Sequence, residues 1–280
     1  MIVVPASTAN LGPGFDVLGM ALGIHAHVMS IDDGVSPPEG FEAVSARHPA
    51  SVAHRRAGGS GLVAVRSSIP SGRGLGFSGA VRVGAVALAL RALHPAEDVL
   101  VARRQEILEM ATALEGHADN VAASLLGGVV IAAVDGGDVT ARRVESIVDL
   151  RLAAWVPSFE TSTASSRADL STAVDRVDAV FNIARTALLV DALARGDRGA
   201  LREATRDRLH QSTRLLANPR CAEALRGFLD AGADAAWLSG SGPTVMAVVP
   251  DDSSLDAISG ALPPGRVLDL RIDRIGARWN

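Results

Sequence analysis

The most hydrophobic stretch of the chain, Val81 to Leu93, is interrupted only by Arg82 and Arg91. Apolar residues nearly all round a helical wheel predict a helix from about Ser78 to Leu93, buried between a sheet and other helices. Ahead of it, Gly61 to Ser68 alternates through Leu62, Val63 and Val65 and predicts a strand. Val3 to Pro5 opens as a short strand. Val17 to Met29 is apolar with few charges and reads as a strand, or as a short helix leading into one. A second helix is expected from Pro95 through Leu114, with proline and acids in its first turn and Gly116 at its end. Val121 to Leu126 follows as a short helix. Gly127-Gly128 then turns the chain into a strand over Val129 to Val134, and Gly136 to Asp138 makes the next turn.

The second half predicts a strand over Leu152 to Val156, an amphipathic helix over Asp178 to Leu193 closed by Gly196, and a helix over Pro219 to Ala231. Paired strands are expected at Ala235 to Leu238 and Val245 to Val249, then a helix-like run over Ser253 to Ala261 and a strand over Val267 to Ile272. That order suggests an α+β sandwich with helices on one face. Residues Asp32 to Gly59, punctuated by Pro37, Pro38, Gly40 and Pro49, predict only one short helix from Pro49 to Ala57.

Composition narrows the function more than the fold. A net charge of −4 argues against a nucleic-acid partner. No apolar run reaches membrane-spanning length, and the N-terminus has no basic start or cleavage region, so a cytoplasmic location is expected. The single cysteine, Cys221, excludes an intramolecular disulfide and a cysteine-built metal site. All 27 basic residues are arginine. The chain therefore lacks the lysine of the G-x-x-x-x-G-K-[ST] phosphate loop and any Schiff-base lysine.

Candidate chemistry begins with Ile69 to Ala80, a glycine-rich run ahead of the buried helix. Glycines let backbone N–H groups converge, and a following helix points its free N–H groups and positive dipole end at the same place. Such a loop suits phosphate, though it is also a common structural device. Ser78 could donate to a phosphate, ligate Mg²⁺ or cap the helix. Glu115 stands at a helix C-terminus, where the dipole disfavours a carboxylate and a compensating cation is expected. His25 and His27 share one face of a strand but have no third ligand near in sequence, so packed or surface histidines are expected. Asn10 and Asp16 bracket a Gly-Pro-Gly turn, His117, Asp119 and Asn120 cluster together, and Arg167 and Arg214 lie further on. Acids for an ammonium and arginines for a carboxylate suit a small zwitterion, and each residue taken singly also suits turn or cap chemistry.

Taken together, three motifs in order resemble the GHMP family of small-molecule kinases. Pro5 to Asp16 looks like Pro-Ala-x-x-Ala-Asn-Leu-Gly-x-Gly-Phe-Asp, Pro70 to Ala80 like Pro-x-x-x-Gly-Leu-Gly-Ser-Ser-Ala, and Ser239 to Thr244 like Ser-Gly-Ser-Gly-Pro-Thr. Within the family the first motif, the Glu115-Gly116-His117-Ala118-Asp119-Asn120 run, the Phe159 to Arg167 loop and Leu209-His210-Gln211 are similar to homoserine kinases. The resemblance implies a two-domain sandwich, with an N-terminal ATP-binding domain over residues 1–148 and a ferredoxin-like C-terminal domain over residues 149–280. It implies ATP and Mg²⁺, with the metal on Ser78 and Glu115. It implies phosphate wrapping by Pro70, Ser71, Gly72, Arg73, Gly74, Leu75, Gly76, Phe77, Ser78 and Gly79. Asn10, Asp16, His117, Asn120, Arg167, Arg214 and Gly242 would hold L-homoserine. Asn120, Glu115 and Thr163 would be catalytic, with threonine where many family members carry an aspartate.

Two departures from the family pattern stand out. Phe77 replaces the first serine of the Gly-Ser-Ser run and Gly79 its first alanine, and the stretch from Asp32 to Ser60 is short and lacks the usual Asn-Leu element. The implied reaction is phosphorylation of the homoserine hydroxyl for threonine synthesis. A kinase for another small alcohol, such as shikimate or an isoprenoid precursor, and a non-catalytic metabolite-binding relative remain alternatives. A homodimer is left open.

Overall fold

A computed structural model describes residues 1–145, 149–161 and 163–280, and the side chains of residues 163 and 164 lie outside that description. The first half opens with β1 (Ile2–Ala9) and β2 (Leu18–Ile31), followed by β3 (Glu42–Ala43), α1 (Pro49–Arg56) and β4 (Leu62–Ser67). Next come α2 (Phe77–Leu93), α3 (Val99–Ala102), α4 (Arg104–Glu115), α5 (Asp119–Leu126), β5 (Val129–Asp135) and β6 (Asp138–Val144). The second half holds β7 (Arg151–Val156), α6 (Thr163–Ala168), α7 (Arg176–Arg195), α8 (Leu201–Ala204), α9 (Gln211–Ala217) and α10 (Pro219–Asp230). It ends with β8 (Ala235–Leu238), β9 (Val245–Val248), α11 (Leu255–Gly260), β10 (Arg266–Arg271) and β11 (Arg278–Trp279).

Among the described residues two antiparallel sheets form. The larger runs β11-β1-β2-β4-β3, with β5 on the far stretch of β2 and β6 beyond it. The smaller has the order β10-β7-β9-β8. Counted within that sheet the order is 4-1-3-2 with a βαββαβ succession, the ferredoxin-like arrangement. The α+β expectation therefore holds. The last strand leaves its own half and pairs with the first, Ile2 opposite Trp279 and Val3 opposite Arg278.

Helix α2 is buried from Gly79 to Leu90 except at Arg82, as its all-round apolar pattern requires. It packs on β1 and β2 on one side and on α1, α4 and α5 on the others. The expected single helix from Pro95 to Leu114 is two. Asp98 caps α3 by accepting the Leu100 amide at 3.2 Å, and Arg103 then leaves helical geometry at φ −122°, ψ 25°. The Arg103 guanidinium is held there by Glu97 and Glu106. The ambiguous run from Val17 to Met29 is strand from Leu18 onward, because it lies between β1, β4 and β5 and pairs with each of them.

One core cluster runs from the first sheet into the second and holds Trp237, while Trp155 packs with Phe228 and Cys221 in a second cluster. Each buried indole N–H finds a partner, the Pro263 carbonyl at 2.8 Å for Trp155 and the Thr8 hydroxyl at 3.0 Å for Trp237. The second contact ties β8 to β1, and with it one half to the other. Among the described residues no helix is long and apolar enough to cross a membrane.

Candidate active site

Where the two halves meet lies a cleft of about 270 Å³, lined by the first loop, the glycine loop and the end of α4 on one side and by residues 240–241, Arg167 and Arg214 on the other. Of the sequence-predicted residues, it gathers Asn10, Asp16, Pro70 through Ser78, Glu115, His117, Asn120, Arg167 and Arg214. Gly79 lies just inside α2, its missing Cβ facing Asn120 at 3.4 Å. Gly242 does not line the cleft. It sits behind, its amide on the Ser239 carbonyl at 2.8 Å. The side chain of Thr163 lies outside the described residues.

Three glycines of the loop, Gly72, Gly74 and Gly76, take left-handed backbone, and two of them are also crowded by backbone or by a serine hydroxyl. Gly74 (φ 78°) approaches the Ser239 and Gly242 carbonyls so closely that a Cβ would fall at 2.5 and 2.6 Å. Gly76 (φ 67°) is the N-cap of α2 and would put a Cβ at 2.0 Å from Ser7 Oγ. Only glycine combines that conformation with that proximity. Gly76 rather than Ser78 thus caps the helix, and it does so without a side-chain bond. The Ser78 hydroxyl, released from capping, donates to Glu115 Oε2 at 2.9 Å. Phe77 packs edge-on to His48 with ring centroids 5.8 Å apart, so the residue that departs from the family pattern forms an aromatic shelf at the cleft wall. His48 itself caps α1, accepting the Ala50 amide at 3.2 Å.

The turn from Ser239 to Thr244 joins the two loops. Ser239 Oγ donates to the Gly74 carbonyl at 2.6 Å, and the Thr244 amide donates to the Arg73 carbonyl at 3.2 Å. On its other side the Gly240 amide donates to the Ala9 carbonyl at 3.2 Å, while the Gly240 carbonyl accepts Asn10 Nδ2 at 3.1 Å and Arg214 Nη1 at 3.0 Å.

The polar end of the cleft is an ordered charge array. Asn10, Leu11 and Asp16 all take positive φ (70°, 49° and 58°), and Asn10 Oδ1 accepts the Asp16 amide at 3.0 Å, which fixes the turn. The Asp16 carboxylate accepts both arms of Arg167, at 2.6 and 2.7 Å. Arg167 and Arg214 flank the Phe15 ring at 5.3 and 5.4 Å from its centroid. Buried His210 donates Nε2–H to the Gly12 carbonyl at 2.8 Å, which leaves Nδ1 to accept Arg214 Nη1 at 3.0 Å. Burial pushes the His210 pKa down, and the Arg214 charge adds to that, so the imidazole is neutral. His117 is the opposite case. Burial would lower its pKa, but the 2.6 Å hydrogen bond to Asp119 and the charges of Asp119 and Asp16 outweigh it and hold it above the ordinary histidine value. Asp119 also accepts the Asn120 amide, and Asn120 Oδ1 accepts the Ser7 hydroxyl at 2.8 Å.

Several supporting residues carry no readable signal in the sequence. Asn182 donates to the Pro13 carbonyl and to Asp207, and Asp207 accepts the amides of Leu209, His210 and Gln211. Together they brace the first loop and the start of α9. Arg82, one helical turn beyond Ser78, reaches both the Ser78 hydroxyl and the Glu115 carboxylate. Its i+4 spacing from Ser78 was available in the sequence, but nothing there linked α2 to the end of α4. His25 is packed rather than free, its Nε2 meeting Asp273 Oδ2 at 2.6 Å.

The glycine loop and this charge array face one another across a single cleft. Residues 45–128 match the family model for the GHMP kinase N-terminal domain, and residues 189–264 match that for the GHMP kinase C-terminal region. The homoserine kinase of Moorella thermoacetica is 41% identical over 266 residues, covering 88% of this chain and 86% of that protein. The homoserine kinase of Desulfitobacterium hafniense is 39% identical over 270 residues, covering 88% and 86%. The crystal structure of homoserine kinase from Cytophaga hutchinsonii shares the fold, with a TM-score of 0.78 at 23% identity, covering 99% of this chain and 96% of that one. The chain belongs to the GHMP kinases and, among them, to the homoserine kinases.

Proposed function

We propose that this cleft transfers the γ-phosphoryl group of ATP to the side-chain hydroxyl of L-homoserine, giving O-phospho-L-homoserine and ADP. The observation that carries the reading is the Asp16–Arg167 pair at the polar end of a cleft whose other end is a phosphate loop. A zwitterionic amino acid can enter such a pair charge for charge, its ammonium on Asp16 and its carboxylate on Arg167 with Arg214 behind. Shikimate and mevalonate carry a carboxylate but no ammonium, and would bring no partner to Asp16 once Arg167 turned to their carboxylate. The homoserine hydroxyl then lies toward Asn120, between the array and the glycine loop. Its oxygen forms the new bond to phosphorus as the bond to the ADP oxygen breaks in line, and its proton leaves on a phosphate oxygen. Positioning and charge stabilisation by loop amides carry most of the catalysis in such a transfer.

We assign residues 1–148 to the nucleotide half and 149–280 to the half that closes over it, with β11 returning to the first sheet. Ser78 and Glu115 are the residues we expect to hold Mg²⁺. Their donor set fits: a hydroxyl and a carboxylate, both hard oxygens 2.9 Å apart beside the glycine loop. Among the described residues no three His, Cys, Asp or Glu side chains gather, so the remaining ligands would be water and phosphate. When bound, the ion neutralises phosphate charge. The test is ADP release with L-homoserine, L-serine, shikimate and mevalonate offered in parallel. Turnover should be confined to homoserine, and none at millimolar homoserine would overturn the proposal.

A further inference from the structure

The Ser78–Glu115 pair already has a cation. Arg82 lies on α2 at i+4 from Ser78, which puts the two side chains on one face of the helix. Glu115 ends α4, and α2 and α4 are packed together. The same guanidinium nitrogen, Nη1, meets both Ser78 Oγ and Glu115 Oε2. Its Nε is buried and has no hydrogen-bond partner, so Nη1 is the end of the group that holds it in place. The Arg82 and Glu115 side chains are 19% and 10% exposed, so the pair is only weakly screened by solvent. Glu115 faces the unfavourable end of the α4 dipole and is followed by left-handed Gly116, so it needs a counter-charge whether or not a metal is bound.

We propose that Arg82 is the resident counter-ion of Glu115 in the nucleotide-free protein and competes with the divalent cation for the Ser78–Glu115 pair. This rests on the reading of that pair as the metal site. A guanidinium and a hard cation cannot use the same carboxylate and hydroxyl oxygens at once, so cation entry requires Arg82 to let go. Arg82 is a positioning residue here. It keeps the carboxylate paired and aimed while the site waits, and it raises the cation concentration at which the site fills. A chain without lysine has only arginine for such a counter-charge, and the guanidinium is never neutral in a protein.

The experiment measures binding of Mn²⁺ alone, by loss of the free-ion electron paramagnetic resonance signal, to the full chain without nucleotide. It compares the natural protein with R82M, R82Q, E115Q and the R82M/E115Q double variant, each checked for folding by circular dichroism. R82Q keeps a polar side chain without the charge if R82M does not fold. The expected result is Mn²⁺ binding about tenfold tighter in the Arg82 variants, the scale of one charge-assisted hydrogen bond, with the gain lost in the double variant. Arg82 variants no tighter than the natural protein, with E115Q weaker, would overturn the competition and leave the metal site standing. If E115Q changes nothing in either background, the metal-site reading itself falls, and the inference with it.

Discussion

Removing one partner of the Asp16–Arg167 pair separates its two possible uses. As a structural salt bridge it has good bidentate geometry, yet the Arg167 and Asp16 side chains are 42% and 34% exposed, and pairs of that exposure contribute about 0.2–1 kcal/mol to stability. For a chain of this size that is at most about 2–4 °C in Tm. As a substrate clamp the pair is worth more, because each charge would hold an opposite charge of the zwitterion inside the cleft. A charge-assisted hydrogen bond of about 1.5–3 kcal/mol corresponds to a loss of about 10- to 150-fold. Arg167→Gln should therefore lower kcat/KM for homoserine by about 10- to 150-fold, leave the KM for ATP within about twofold, and move Tm by no more than about 4 °C. Steady-state kinetics with each substrate varied in turn, beside a thermal melt, reads all three. An unchanged homoserine KM, or an ATP KM that rises equally, would refute the assignment of this end of the cleft to the amino acid.

Other consequences are open to direct measurement. Gly76→Ala places a Cβ at 2.0 Å from Ser7 Oγ in a left-handed conformation. It should lower stability by at least about 1–2 kcal/mol and raise the KM for ATP, which urea denaturation and kinetics would register. His117 has a pKa held above its ordinary value, so its pair with Asp119 adds stability below pH 6.5 that is lost as pH rises through the elevated value. Melts from pH 5.5 to 8.5 should show His117→Gln losing most at the acid end of that range. Cys221 is 1% exposed and donates to the Pro243 carbonyl at 3.3 Å, and burial pushes its thiol up to about 11. Iodoacetamide at pH 8 should leave it unmodified in the folded protein and alkylate it in urea, as mass spectrometry would show.

The sequence carried the elements whose physics is local. The buried helix after the glycine loop, the paired strands around Ser239 to Thr244 and the short helix from Pro49 each follow from periodicity and punctuation, and α2, β8, β9 and α1 lie there. The break between α3 and α4 was not legible in the apolar periodicity, because it turns on one residue, Arg103, leaving helical geometry while its guanidinium is held by Glu97 and Glu106, both close by in the chain. β6 was missed because its polar alternation, Asp138 to Val144, forms an exposed edge beside β5. At the site, motif residues were readable because they keep spacing within a loop. Asn182 and Arg82 were not, since Asn182 reaches Pro13 and Arg82 reaches Glu115, each far away in the chain, and Asp207, whose amide partners are local, gains its bracing role only through Asn182. The need for a cation beside Glu115 was foreseen from the α4 dipole, but its resident source, Arg82, was not.

The pairing of β11 with β1 bears on how the molecule is made. Trp279 lies opposite Ile2, stacks under the Arg91 guanidinium at 4.3 Å and donates to Asp98 at 3.4 Å. During synthesis from the N-terminus, β1 and β2 can pair at once, but this outer edge of β1 has no partner until nearly the whole chain has emerged. Contacts of such sequence separation are the slowest to close, and an open strand edge invites pairing with another chain. The first sheet is thus sealed last, by a strand that belongs in sequence to the other half. A nascent or truncated chain ending before Arg278 presents that edge to its neighbours.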